Sequence, residues 1–252
     1  DNPDAGLMKA IILNSADDLG NPGPDFRFGW GGLNARKAFR VMSDQSYESG
    51  EISQGEQLLH TINVPAGLSK LNVMVYWTDY EGAANAAFAL VNDINIEMVD
   101  PSDETIMPWV LDPSPNATAL NSPATRGIDN LNNVEQVTVV SPQAGAYEIR
   151  LNGFSIPQGP QKYFLVYTIE EDEIVVTYPA GGEHLTPSTN ELIRWDAPEG
   201  TENFTVSFSS DNGDNWTLLG NVNASARHLS WSLPASTLTA QGKIKVERGT
   251  LS

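Results

Sequence analysis

The stretch VMVYWTDYEGAANAAFALVNDINIEMVDP, residues 73–101, reads as two strands joined by a loop of small residues. The first strand is the apolar run of residues 73–77, closed by Thr78 and Asp79. The second spans residues 89–99 and stops at Pro101. Side chains alternate across a strand, so Asp93 and Asn95 fall on one face while Asn92, Ile94 and Ile96 fall on the other. Asp79, Asn92, Asp93 and Asn95 thus gather oxygen-bearing side chains around two strand ends. Glu135, in the run Asn132-Asn133-Val134-Glu135, can add another from the end of the next long loop.

Outward from this stretch the period of 2 continues. Candidate strands are residues 57–64, 70–77, 89–99, 105–111, 134–140, 146–152 and 162–169. Pro65-Ala66-Gly67, Pro101-Ser102, Pro142-Gln143-Ala144-Gly145 and the segment from Pro157 to Pro160 supply the turns between them. Short strands so spaced predict an antiparallel β-sandwich of jelly-roll type. Residues 112–133 are polar, contain Pro113, Pro115 and Pro123, and read as a long loop. Upstream, residues 7–19 carry a helical stripe through Leu7, Ala10, Ile11 and Asn14, with Asp4 as N-cap and Gly20 as the residue beyond the C-terminus. A second short helix is predicted from Asn34 to Phe39 or a little beyond.

The charged run Glu170-Glu171-Asp172-Glu173 reads as a join between domains. Six further strand patterns follow, at 173–178, 191–196, 203–209, 215–219, 228–232 and 243–247, with Asp211-Asn212-Gly213-Asp214 as a hairpin turn. Their spacing predicts an immunoglobulin-like or fibronectin-like β-sandwich that lacks its last strand. The fold class is therefore mainly β, with a short helical N-terminal piece. The domains are expected at 1–44, 45–171 and 172–252.

Composition narrows the partners. The chain has 14 basic and 32 acidic residues, a net charge of -18, which repels nucleic acid. It has no Cys, which removes disulfides and thiol chemistry. No apolar run approaches the roughly 20 residues of a membrane helix. The chain opens Asp1-Asn2-Pro3 without a leader pattern and reads as a fragment or processed product.

The oxygen set suits Ca2+, which takes carboxylates, amides and backbone carbonyls. The same side chains can also cap turns without any metal. Asp17-Asp18 and Glu170 to Glu173 could be offered as acid/base carboxylates, but they read better as surface and linker. Trp195, Trp216 and Trp231 could stack on sugars, although sandwich Trp residues usually pack in the core. The sequons at Asn116, Asn203, Asn215 and Asn223 are what chance gives in such a composition.

Three stretches together resemble subtilisin-like serine proteases that carry a C-terminal, P-domain-like jelly roll. They are LMKAIILNSADDLG with FGWGGLNARKAF, then the opening stretch, then NNVEQVTVVSPQAGAYEIRLNGFSIPQGPQKYFLVYTI at residues 132–169. YPAGGEHL, LIRWDAPEG and SSDNGDNWTLLG resemble immunoglobulin-like modules appended to secreted bacterial hydrolases. The resemblance makes residues 1–44 the closing helices of an α/β catalytic domain. It implies that the chain is the accessory region of a secreted, bacterial, extracellular serine endopeptidase. The expected partners are its own upstream catalytic domain and protein substrates, and the expected state is a monomer. The family's Gly-Thr-Ser turn is missing, and His60, His184 and His228 match no catalytic position, so the Asp/His/Ser triad lies elsewhere and this chain is expected to be inactive alone. The resemblance also implies structural calcium at Asp79, Asn92, Asp93, Asn95 and Glu135, with Asn95 standing where relatives carry a second Asp. A free-standing binding module for protein or carbohydrate is the alternative; it would have no use for the closing helices.

Overall fold

The computed structural model describes residues 2–237 and 239–252, which form two compact units, Asp1–Glu170 and Glu171–Ser252. The protein is mainly β and its sheets are antiparallel wherever a strand register is defined, as its alternating patterns require. The first unit contains α1 (Ala5–Asn14), α2 (Ala35–Ser43), β1 (Tyr47–Ile52), β2 (Gln57–Val64), β3 (Leu68–Trp77), β4 (Asp93–Val99), β5 (Thr105–Ile106), β6 (Trp109–Val110), α3 (Ala117–Asn121), β7 (Thr125–Arg126), β8 (Val134–Val140), β9 (Gly145–Ser155) and β10 (Gln161–Glu171). One four-stranded sheet has the order β1-β10-β3-β8 and the other the order β2-β9-β4-β5, with β6 and β7 paired apart from both.

The two sheets face each other across one core. Ile52, Val73, Val75, Trp77 and Leu165 come from the first sheet, and Ile94, Ile96, Met98, Ile149 and Leu151 from the second. β3 is an unbroken apolar run because it is covered on both faces. Val73, Val75 and Trp77 enter the sandwich, while Tyr76 meets Ala10 and Ile11 of α1 and Val41 of α2 on the other side. Asn14 pins α1 there. Its amide nitrogen donates to Asn72 O and Val166 O, each at 3.3 Å, and to Thr168 Oγ1 at 3.0 Å, and its Oδ1 accepts from Gln136 at 2.9 Å.

Several expectations shift at their ends, each for a tertiary reason. Asp4 caps α1 as expected, accepting from Gly6 N at 2.8 Å. The helix stops at Asn14, not Leu19, because the Asp17 backbone is claimed by reciprocal 2.8 Å hydrogen bonds with Gly32. Gly20 therefore sits in a loop turn at φ 86 and caps no helix. The strand expected from residue 89 begins at Asp93, since Val91 N and Asn92 N donate to Asp79 instead of to a neighbouring strand. The strand expected over 105–111 is split at Met107-Pro108 into β5 and β6. The expected loop 112–133 holds α3, capped by Asn116, and β7. Tyr47–Ile52 pairs with β10 as a strand that the sequence reading did not mark. Glu170 is no solvated linker residue: it is buried and held by Lys37 Nζ at 2.8 Å, which also contacts Asp17 at 2.9 Å. Burial pulls the Lys37 pKa down, but the two carboxylates outweigh it and leave the ammonium above its ordinary value.

The second unit contains β11 (Val175–Tyr178), β12 (Asn190–Asp196), β13 (Phe204–Ser209), β14 (Thr217–Val222), β15 (His228–Ser232) and β16 (Lys243–Glu247). They form two three-stranded sheets, β11-β12-β15 and β14-β13-β16. Trp195 and Trp231 are buried with Phe204, Val206 and Val246, so these two indoles are core, while Trp216 is exposed beside Lys245. Asp211 organises the turn before β14 by accepting from Ser209 Oγ, Asn215 N and Asn215 Nδ2 at 2.7, 2.9 and 2.7 Å.

Candidate functional site

The polar cluster of the opening stretch lies along an open edge of β4. Ile94, Ile96 and Met98 enter the core, which turns Asp93, Asn95 and Glu97 outward, as the alternation requires. β5 is only two residues long and pairs with Met98 and Val99 alone. The edge of β4 at Ile96 therefore needs another acceptor, and Glu135 supplies it: Ile96 N donates to Glu135 Oε2 at 3.0 Å. Glu135 belongs to β8, opposite Val75, on the same side of the strand as the core residue Val137. A carboxylate thus links the two sheets from within the sandwich.

This position is electrostatically costly. Glu135 is 0% exposed, and its Oε1 has no hydrogen-bond partner among the described residues. Burial pushes its pKa well above the ordinary range; the Ile96 N–H pulls the other way, and the charges of Asp129 and Asp93 add to the rise. Asp93 sits at a bulge in the pairing of β4 with β9 and is 6% exposed. Burial first, then Asp129 and Asp79, raise its carboxyl to about 6. Asp93 Oδ1 and Asn95 Oδ1 are likewise buried without a partner.

The five residues singled out from the sequence therefore separate into two groups. Asp79 is a loop brace, accepting from Val91 N at 2.7 Å and Asn92 N at 2.9 Å. Asn92 is a structural amide that donates to Gln158 O and Gln161 Oε1, both at 2.7 Å, and accepts from Gln158 N at 3.1 Å. Asp93, Asn95 and Glu135 instead each keep one buried oxygen without a hydrogen-bond partner among the described residues. Asp129 was not singled out, although its charge reaches both Asp93 and Glu135. It lies on the loop before β8, and its own oxygens accept from Leu131 N, Asn132 N and Asn132 Nδ2 at 2.8, 3.2 and 2.6 Å. No sequence signal separates it from neighbouring loop residues; only the fold brings it to β4.

Asp93, Asn95 and Glu135 each carry a buried oxygen without a hydrogen-bond partner among the described residues, and carboxylate and amide oxygens are the type that hard cations take. Among the described residues no three His, Cys, Asp or Glu side chains form a metal-holding group by themselves. A cation here would draw on the Asn95 amide and on water as well.

Elsewhere, His60 bridges Glu48 Oε2 at 2.7 Å and the Tyr163 hydroxyl at 3.1 Å, which joins the edges of the two sheets. The hydroxyl it meets belongs to a core tyrosine, 3% exposed. No helix among the described residues is long and apolar enough to cross a membrane.

No family model matches the chain. It is similar to the Dictyostelium discoideum serine protease/ABC transporter B family protein tagA, 23% identical over 175 residues, which is 65% of this chain and 10% of that protein. It is also similar to tagB of the same organism and description, 30% identical over 93 residues, 36% of this chain and 5% of that one. The chain thus spans a small part of these curated relatives. Among solved structures, the Bacillus licheniformis lipase BlEst2 in propeptide form covers 80% of this chain and 39% of its own at 10% identity and a TM-score of 0.31. The adhesin domain of Epf from Streptococcus pyogenes covers 79% and 70% at 10% identity and a TM-score of 0.27. The sequence similarity is to proteins named as serine protease/ABC transporter B family proteins.

Proposed function

We propose that the chain is the C-terminal accessory region of a secreted subtilisin-like serine endopeptidase, and that its first 44 residues dock on the upstream catalytic domain. One observation carries this reading. Ile12, Leu19, Phe26, Phe28, Leu33, Phe39 and Met42 are all exposed, with Leu33 at 68% and Phe39 at 70%. They fall in the stretch that resembles the closing helices of a subtilase domain. Seven exposed large apolar side chains within one short stretch support a contact role for it. The face α1 turns inward is already satisfied by β3 and β10, so the exposed set is free for a second body. Catalysis belongs to the absent triad, and the sandwich stabilises the domain that carries it.

The proposal includes calcium. Asp93, Asn95 and Glu135 would hold it, and Asp79 and Asn92 would brace the loops behind them. Bound there, calcium would neutralise the buried carboxylates and fasten the open edge of β4 to β8.

The test of docking is Phe39→Ser, made both in the isolated chain and in the intact parent protease. The isolated chain should keep its melting temperature, because Phe39 is exposed there. The parent should inactivate faster on heating. Equal loss in both forms, or no loss in the parent, defeats the reading.

A further inference from the structure

The outer face of the second sheet carries a row of amides. In the register of the sheet, Gln57 of β2 stands opposite Asn152 of β9, and Asn152 stands opposite Asn95 of β4. Three carboxamides therefore cross three adjacent strands at the inter-strand spacing of about 4.8 Å. Among the described residues Asn95 Oδ1 is buried without a hydrogen-bond partner. The next row is Leu59, Arg150 and Glu97 in the same register. Arg150 donates to Glu148 at 2.6 Å and to Glu97 at 3.2 Å, so two of the five guanidinium N–H groups are engaged by these carboxylates. Met107 and Ile128 rise beside these rows, and the whole encloses a cavity of about 440 Å³.

The chemistry of this cavity selects a ligand class. Each carboxamide offers two donors and one acceptor with two lone pairs, and none carries charge. A row of such groups matches a ligand that presents hydroxyls in sequence, each both donor and acceptor. The one cation is neutralised by its own two carboxylates, which disfavours phosphates and sulfates. A protein hot spot would want a buried aromatic or a larger apolar centre, whereas Ile96 and Leu151 of the lining are core residues of the sandwich and the other apolar lining is Leu59, Met107 and Ile128. Those three suit the C–H faces of sugar rings.

We infer that the outer face of β2, β9 and β4 is a binding site for a neutral oligosaccharide, with Gln57, Asn152, Asn95 and Arg150 supplying the hydrogen bonds. It stands independently of calcium: Asn95 can turn Oδ1 to a cation and keep Nδ2 for the ligand.

The experiment is titration calorimetry of the whole chain with four neutral hexasaccharides: cellohexaose, xylohexaose, mannohexaose and fully N-acetylated chitohexaose. At least one should bind saturably at one site per chain. Gln57→Ala and Asn152→Ala should each weaken that binding about three- to tenfold, the worth of one to two neutral hydrogen bonds. Asn152→Asp, which keeps the shape and removes a donor, should weaken it at least as much. Thr61→Ala, on the same face but outside the cavity, should leave it within about twofold, and melting temperatures of the variants will show that the sheet is intact. Failure of all four sugars to bind overturns the inference, as does binding indifferent to Gln57→Ala, Asn152→Ala and Asn152→Asp in folded protein. Tighter binding of a sulfated hexasaccharide than of any neutral one also overturns it.

Discussion

Replacing Glu135 by Gln separates the two roles that one buried carboxylate combines. The side chain accepts from Ile96 N at 3.0 Å and leaves Oε1 without a partner. Gln keeps a carbonyl oxygen for Ile96 and removes the charge. In chelator, two effects oppose each other. The unpaired buried carboxylate is gone, but an amide NH2 is buried in its place at a cost of about 1–3 kcal/mol. The calcium-free variant should therefore differ little from the wild type. With calcium at about 100 times its dissociation constant, the wild type gains about 2.7 kcal/mol. For a domain of this size that raises the melting temperature by roughly 5–10 °C. The variant, with one charged ligand fewer, should lose most of that rise. The assay is differential scanning calorimetry of both proteins in chelator and in excess calcium. A wild type whose melting ignores calcium, or a variant that keeps the full rise, refutes the cation assignment. Glu135→Leu completes the set: it strands the Ile96 N–H and should destabilise by about 1–3 kcal/mol in chelator, and in excess calcium it should lose the calcium gain as well.

Three other outcomes are expected. Asn14→Leu removes the acceptor for Gln136 and the donors to Asn72 O, Val166 O and Thr168, so it should cost about 2–4 kcal/mol in urea unfolding. Chiefly the Asn215 side chain, then its backbone N–H and Ser209, lower the Asp211 carboxyl from 3.8 to about 2. The folded pKa lies below the unfolded one, so this turn's contribution is present above about pH 4 and lost as pH falls through about 2; NMR of the Asn215 side-chain amide against pH reads it, and titration of that signal near pH 4 would contradict the assignment. The isolated chain should not cleave casein, and turnover that persists after repeated purification would place a nucleophile where none is assigned.

Local chemistry made much of this protein legible in its sequence. The alternation through Asp93–Val99 placed Ile94 and Ile96 inward and Asp93 and Asn95 outward, because side-chain direction in a strand follows from covalent geometry alone. Asp4 announced the start of α1 for a similar reason, since an N-cap acts over two or three residues. The six strands of the second unit were legible from their turns and periods. What the sequence could not settle is which oxygens the fold would use. Asp79, Asn92, Asp93, Asn95 and Glu135 look alike as letters, yet Asp79 and Asn92 are spent on backbone and side-chain partners supplied by other segments, including Gln158 and Gln161. Asp129 joins the cluster only because the loop before β8 folds against β4. The end of α1 and the burial of Glu170 were likewise set by distant partners, Gly32 and Lys37. Periods and caps are short-range, so the sequence by itself determined the strands, their faces and the helix start. Hydrogen-bond satisfaction and charge burial depend on groups far apart in the chain, so only the tertiary structure decided which polar side chains are braces and which keep an oxygen without a partner.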